Sequence, residues 1–239
     1  MIDYDSPTFW SDLLGVLLKG TGETLYMVGI ATLVTVIVGL PLGILVVATE
    51  RGGFLERPFG SRALGAGLNL VLGFIVNLGR SVPFIVLMIA LIPFTRLLIG
   101  GFVGTTPAIV PLSVVAIPFF ARMVEIAIKE VDPGLYETAA SLGASRWQLV
   151  RRVLLTESLP AIILGLSTTI TSIINFSAMV GAVGGGGLGN VAITYGWQRY
   201  SWLHIVFVVI ILFAIVQIVQ VAANLAARLL SHRDARRRP

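Results

Sequence analysis

The sequence predicts an all-α fold, a polytopic transmembrane helical bundle, from its composition and from the length of its apolar runs. Of the 239 residues, 56% are hydrophobic and only 12% are charged, far from the usage of a soluble domain. Several nearly uncharged runs reach the roughly 20 residues that a helix needs to cross a bilayer core. Most of the chain is therefore expected to lie in lipid.

About five membrane spans are expected within a single transmembrane domain covering residues 1–239. The predicted spans occupy residues 24–48, 64–94, 108–128, 159–183 and 203–229. The second is interpreted as broken, because Gly79, Arg80 and Pro83 interrupt a tract too long for one straight helix and proline removes a helix donor. In this interpretation 64–78 is an interfacial or packed helix and 81–94 makes the main crossing.

Lysine and arginine residues give the predicted orientation. They concentrate after the first and third spans and at the C-terminus: Arg51, Arg57, Arg62, Lys129, Arg146, Arg151, Arg152, Arg228, Arg233, Arg236, Arg237 and Arg238. Because cytoplasmic loops carry this excess, the N-terminus is predicted outside and the C-terminus in the cytoplasm. The net charge of +5 does not indicate a nucleic-acid-binding surface, because the basic residues lie in short loops beside the spans and not on one soluble face.

The residues give no sign of a catalytic site, a metal site or a cofactor in this chain. Cysteine is absent, which excludes disulfides and thiolate ligands. A phosphate-binding loop needs Gly-Lys-Ser/Thr, but the only lysines, Lys19 and Lys129, precede Gly20 and Glu130. The glycines from 184 to 189 match the spacing of a dinucleotide fingerprint, but a membrane span precedes them, so we interpret them as close helix packing. The alternative is that their bend also shapes the external mouth, where a binding protein delivers substrate. No cleavable signal is seen, so the first span is expected to direct insertion.

The long polar interval 129–158 is predicted to form two short helices on the cytoplasmic side. Asp132 can cap the first helix, and Gly143 can supply the turn that ends it. Ser145 and Gln148 have the spacing of a capping box for the second helix. Helical spacing places Trp147, Val150 and Leu154 on one face of that second helix.

Two uses of this basic, amphipathic loop remain open from the residues themselves. One is an interfacial helix pair whose arginines meet anionic lipid headgroups. The other is a docking site for a soluble partner.

The spacing of Glu137, Thr138, Ala139, Gly143 and the run 153–155 resembles the EAA loop of ABC importer permeases. This resemblance implies the type I ABC importer permease fold and a coupling helix that sits in a groove of a cytoplasmic ATPase. The implied ATPase-coupling residues are Glu137, Thr138, Ala139, Ala140, Leu142, Gly143, Ala144, Trp147 and Leu154. Two departures stand out, since Thr138 replaces the usual second alanine and Thr156 stands in place of a proline, which implies a less sharply bent exit.

Further runs resemble, in their order and spacing, the methionine (D-/L-methionine) importer permeases of bacteria. They are residues 80–85, 92–96, 108–112, 118–125, 177–179 and 181–189. The resemblance implies a multi-pass permease of the bacterial cytoplasmic (inner) membrane, in contact with membrane lipid. It further implies a homodimer, an external substrate-binding protein and two cytoplasmic ABC ATPase subunits that bind ATP and Mg and hydrolyse the nucleotide. The chain itself would then be a transport subunit, not an enzyme, that moves methionine or a similar amino acid inward by alternating access.

Two groups of polar residues inside the spans need an interpretation. Arg122, Glu125 and Lys129 are spaced three and four apart and are predicted to form a local row of ion pairs. The fourth span carries a polar run whose side chains either bond neighbouring helices or line a route through the membrane. The predicted substrate-pathway residues are Asn175, Phe176, Ser177 and Met179.

Two other functions remain as alternatives. An ion-coupled secondary amino-acid transporter would normally need a carboxylate or histidine at the membrane midplane, and the sequence offers no clear candidate. A membrane scaffold would use the loop at 129–158 only to recruit a cytoplasmic partner.

Overall fold

The computed structural model describes residues 7–50, 53, 55–56 and 60–231. For Pro133, Tyr136, Glu137, Ala140 and Arg146 it describes the backbone alone. Several of the basic residues used to predict orientation lie outside these ranges, namely Arg51, Arg57, Arg233, Arg236, Arg237 and Arg238. Throughout the described ranges the regular structure is helical and no strand occurs, which confirms the all-α prediction.

Ten α-helices follow one another in the described residues. They are α1 Phe9–Thr49, α2 Arg62–Ser81, α3 Phe84–Ala90, α4 Ile92–Ile99, α5 Thr105–Lys129, α6 Pro133–Ser141, α7 Arg146–Gln148, α8 Leu155–Gly181, α9 Gly187–Val191 and α10 Trp202–Leu230. Two π-helical stretches join them: Leu149–Leu154 leads directly into α8, and Ala192–Trp197 continues α9.

Five helical segments in the described residues are long and apolar enough to cross a membrane. They are Phe9–Thr49, Arg62–Ser81, Thr105–Lys129, Leu149–Gly181 and Trp202–Leu230. The predicted number of spans is therefore confirmed. The bounds predicted for the third and fifth spans agree with α5 and α10 to within three residues at each end.

The predicted start of the first span was too late. Helix α1 begins at Phe9 and has 41 residues, a length of about 60 Å at 1.5 Å per residue. Phe9, Leu13 and Leu17 recur every four residues, and all three are buried in one cluster that also contains Val208 of α10. The charged residues before position 24 interrupt the apolar run in the sequence, but they do not interrupt the helix.

The break predicted in the second span is present, but the part of it that is long and apolar enough to cross a membrane is 62–81 and not 81–94. The segment 62–81 is a continuous apolar helix, α2, whereas 84–99 forms the two short helices α3 and α4 of seven and eight residues. The chain breaks before Pro83, as expected of a residue without a backbone N–H. Gly79 lies inside α2, and Pro118 of α5 packs where a Cβ at this position would lie. The glycine therefore permits a close contact between two helices and does not end the helix.

The chain divides into two compact units. One unit contains the chain up to Thr35 together with residues 82–116 and 170–219. Its main core lies where α1, α3, α5 and α8 meet, and its fully buried members include Met27, Leu112 and Ile173.

The other unit contains residues 36–81, 117–169 and the chain from Gln220. Its core includes Phe120, Val124 and Ile128 of α5 together with Val150 and Leu154 of the π-helical stretch. Helix α1 reaches α5 closely in this unit because a Cβ on Gly43 would lie 2.7 Å from the Cβ of Val124. The loop at 129–158 is thereby anchored on a packed helical core.

Candidate functional site

The first helix of the 129–158 loop begins and ends as its sequence predicts. The Asp132 carboxylate accepts a hydrogen bond from the backbone N–H of Gly134 at 2.8 Å, which satisfies a free donor at the start of α6. Gly143 has φ +72°, the left-handed conformation that glycine adopts without a steric penalty. The N–H of Ala144 then donates to the carbonyl of Ala139 at 3.0 Å and closes the helix.

The predicted capping box is also present. The N–H of Ser145 donates to Oε1 of Gln148 at 2.8 Å, and the N–H of Gln148 donates to Oγ of Ser145 at 3.3 Å. The π-helical stretch continues directly into α8, where the Thr156 hydroxyl donates to the carbonyl of Arg151 at 3.3 Å. The less sharply bent exit implied by threonine in place of proline stays a prediction.

The predicted common face of Trp147, Val150 and Leu154 was wrong. Val150 and Leu154 are buried in the core, whereas Trp147 is 70% exposed. In a π-helix the hydrogen bonds run from i to i+5, so each turn contains more residues than an α-turn and later side chains rotate away from the α-helical register. The π-helical stretch therefore turns the tryptophan outward while its neighbours stay in the core.

The exposed residues Leu142, Gly143, Ala144 and Trp147 form what we call the coupling tip. Leu142 is 82% exposed and lies on the same turn as Gly143, directly before the capping box. Two large apolar side chains thus project from a turn whose backbone is fixed at both ends. Such a preformed apolar projection is suited to insertion into a groove of another protein.

The other predicted coupling residues have different positions. Ala139 and Leu154 are buried, so they offer no surface to a partner. Thr138 is exposed, but its hydroxyl donates to the carbonyl of Gly134 within α6. Glu137 and Ala140 lie in α6 by their backbone.

An ion-pair network lies at the end of α5 that leads into the loop. Oε1 of the buried Glu125 accepts from Nη1 of Arg122 and from Nζ of Lys129, the latter at 3.0 Å, so the predicted row is confirmed. Lys129 also lies 2.8 Å from Oε2 of Glu50, which follows α1. Sequence reasoning missed Glu50, since no spacing rule links residues 79 positions apart.

The predicted pathway residues of α8 divide into two groups. Asn175 and Met179, four residues apart, are both exposed and form what we call the open face of α8. Phe176 instead stacks on Phe84, with ring centroids 4.6 Å apart, and Ser177 is buried with its hydroxyl donating to the carbonyl of Ile174 at 2.7 Å. The pathway role of all four residues stays a prediction.

The glycine-rich region after α8 is a packing element, as expected. Gly184, Gly186 and Gly187 have φ between +74° and +85°. A Cβ on Gly189 would overlap the carbonyl oxygen of Ala178, so α9 approaches α8 at a distance that only glycine permits. Among the described residues, no group of three or more His, Asp or Glu side chains is placed to hold a metal ion.

Residues 39–233 match the family model described as binding-protein-dependent transport system inner membrane component. The chain is 48% identical over 223 residues to the probable D-methionine transport system permease protein MetI of Vibrio cholerae, covering 93% of this chain and 94% of that protein. It is 50% identical over 210 residues to the protein of the same name in Pasteurella multocida, covering 86% and 91% of the two chains.

A solved structure shares the fold. It is the MetNI methionine ABC transporter in inward facing conformations, which this chain matches with a TM-score of 0.84 at 37% identity. The match covers 95% of this chain and 100% of that chain.

Proposed function

We propose a function from one premise: this chain belongs to the family of binding-protein-dependent transport system inner membrane components. It is the permease subunit of an ATP-binding-cassette importer. We infer that it moves methionine or a similar amino acid inward by alternating access. The names of its relatives support the substrate, and the coupling tip is the observation that supports the mechanism.

In this proposal the energy comes from two partner ATPase subunits in the cytoplasm. ATP and Mg are bound and hydrolysed there, and this chain has no enzymatic step of its own. Leu142 and Trp147 of the coupling tip insert into a groove of the ATPase. Because the chain that follows the tip is packed through Val150 and Leu154 in the same core as α5, a movement of the ATPase is transmitted to α5 and α8 and not absorbed by the loop.

The open face of α8 supports a homodimer with a central pathway. An amide such as that of Asn175 is costly when it faces lipid, so in a membrane it needs a second protein surface or a water-filled route. Met179 beside it offers a flexible apolar surface for the side chain of an amino acid. The N-terminus lies outside in this arrangement, where an external binding protein delivers the substrate, and the C-terminus lies in the cytoplasm.

Uptake by reconstituted vesicles tests the proposal. The complex of this chain with its ATPase and binding protein is incorporated, ATP is enclosed with the ATPase, and labelled L- and D-methionine are added on the binding-protein side. Uptake that requires all three proteins and ATP is expected, with competition by apolar but not by charged amino acids.

The same vesicles separate the alternatives. Methionine uptake driven by an ion gradient without the ATPase would indicate a secondary transporter. ATPase binding without uptake of any amino acid would indicate a scaffold. Within the described residues the buried carboxylate of Glu125 is paired with two cations, an arrangement that supports a structural role over ion coupling.

A further inference from the structure

Two side chains of α1 hold the chain where it leaves the glycine-rich region. Oε2 of Glu23 accepts a hydrogen bond from the backbone N–H of Gly187 at 2.7 Å. Oγ1 of Thr24 accepts from the N–H of Leu188 at 2.9 Å, and Thr24 is only 1% exposed. We call these two bonds the clasp. Lys19, one turn earlier on α1, lies 3.9 Å from the other oxygen of Glu23.

The segment of residues 184–187, here the glycine segment, fits against α1 so closely that side chains are excluded. Gly187 has φ +74°, and a Cβ there would lie 2.7 Å from Oγ1 of Thr24. A Cβ on Gly186 would lie 2.8 Å from Oε2 of Glu23. At its other end the carbonyl of Gly184 accepts from the N–H of Gly104, which directly precedes α5. The segment is thus fixed to two membrane helices by polar contacts.

The chemistry of the clasp suits a contact that opens and closes. Apolar packing alone would hold α9 against α1, as Leu188 and Val191 already do against Leu17. A partly exposed carboxylate adds hydrogen bonds whose donors can be taken over by water when the contact separates. Because the glycine segment begins three residues after the last residue of α8, release of the clasp frees the end of the helix that carries the open face.

We propose that Glu23 and Thr24 are positioning residues for transport, which hold the outer mouth closed and release the glycine segment in the outward-facing state. This inference rests on the proposed function and on its orientation, in which the end of α8 faces outward. The clasp then contributes to the closed state only, so its loss shifts the population towards the open state.

The experiment compares Thr24→Val, which is nearly isosteric but cannot accept a hydrogen bond, with Thr24→Ser, which can. Thr21→Val is the matched control, because within the described part of the chain the Thr21 hydroxyl bonds to the carbonyl of Leu17 in its own helix and to no other helix. At the carboxylate, Glu23→Ala is compared with Glu23→Gln, which loses the charge and keeps an acceptor oxygen. This second pair decides the outcome if Thr24→Val does not assemble, since the Glu23 side chain is 29% exposed and tolerates change.

Two readouts respond to the clasp but not to a general loss of folded protein. The first is ATP hydrolysis by the assembled complex without binding protein, together with methionine transported per ATP. The second is maleimide labelling from outside of Val180→Cys in this cysteine-free chain, at a position that is 2% exposed and that Gly185 of the glycine segment covers. Thr24→Val and Glu23→Ala are expected to raise basal hydrolysis and labelling about fivefold, the shift expected from one net hydrogen bond. Thr24→Ser, Glu23→Gln and Thr21→Val should behave as the parent protein.

Equal labelling and equal basal hydrolysis in Thr24→Val, Glu23→Ala and the parent would overturn the proposal. An increase shared by Thr21→Val would do the same, because it would show a general effect of losing a hydroxyl in α1. Absence of methionine transport by the parent complex would refute the proposed function alone, since labelling needs no substrate and still decides whether the clasp holds the mouth closed.

Discussion

Replacement of Trp147 by alanine is expected to weaken binding of the ATPase while leaving the permease folded. The side chain is 70% exposed, so its loss opens no cavity in the core. A tryptophan of about 250 Å² then presents about 175 Å² for burial in a partner groove. At about 25 cal/mol per Å² this area corresponds to at most about 4 kcal/mol.

Only part of this free energy appears as binding affinity, because immobilising the side chain and removing water from polar groups of the groove both cost free energy. A loss of about 2 kcal/mol in binding free energy is therefore expected, which raises the dissociation constant about thirtyfold. The assay is titration of the ATPase onto the permease in lipid nanodiscs. Trp10→Ala is the matched control, since Trp10 is 62% exposed on α1 and outside the loop. Equal affinity of Trp147→Ala and the parent, or an equal loss with Trp10→Ala, would refute the assignment of the coupling tip.

Three further predictions concern the loop and its support. Gly143→Ala should reduce stimulation of the ATPase several-fold, because φ +72° costs an L-residue about 1 kcal/mol. Gly67→Ala, on the exposed side of α2, is the control and should have no effect. ATP hydrolysis stimulated by the permease measures both. Leu154→Ala should lower the free energy of unfolding by about 2–5 kcal/mol, because it leaves a cavity in the core. Leu97→Ala, at a position 86% exposed, should lower it by less than about 1 kcal/mol. Thermal unfolding in detergent compares the two variants, and equal midpoints would contradict the packing described. Glu125→Gln leaves two cations beside an uncharged amide and should destabilise the protein by about 1–3 kcal/mol in the same measurement, so an unchanged midpoint would show that the buried network is dispensable.

Local features of the loop were predictable because they depend on residues only a few positions apart. Asp132, Gly143 and the Ser145 and Gln148 pair each satisfy backbone groups within their own turn, so residue type and spacing are sufficient. The outward rotation of Trp147 was not predictable from the same spacing, since it depends on the π-helical stretch that follows. The core around Val150 and Leu154, and not the local sequence, accommodates that stretch.

The boundaries of the first two membrane helices show a second limit. Hydropathy identifies the length of an apolar run. Asp12, Lys19 and Glu23 lower the hydropathy at the start of α1, but they do not end the helix. In α2, Gly79 reads as an interruption, yet it is required by the approach of Pro118. In both helices residue type suggested an interruption at a position where the helix continues.

The sequence by itself determined that the chain is helical, that it crosses the membrane about five times and that residues 129–158 form a capped pair of helices. These properties follow from the cost of unpaired backbone groups in lipid and from hydrogen bonds within one turn. Tertiary structure alone decided which polar residues meet: Lys129 with Glu50, and Glu23 with Gly187 at a separation of 164 positions. Such contacts are set by the packing of whole helices, and no local pattern of residues encodes them.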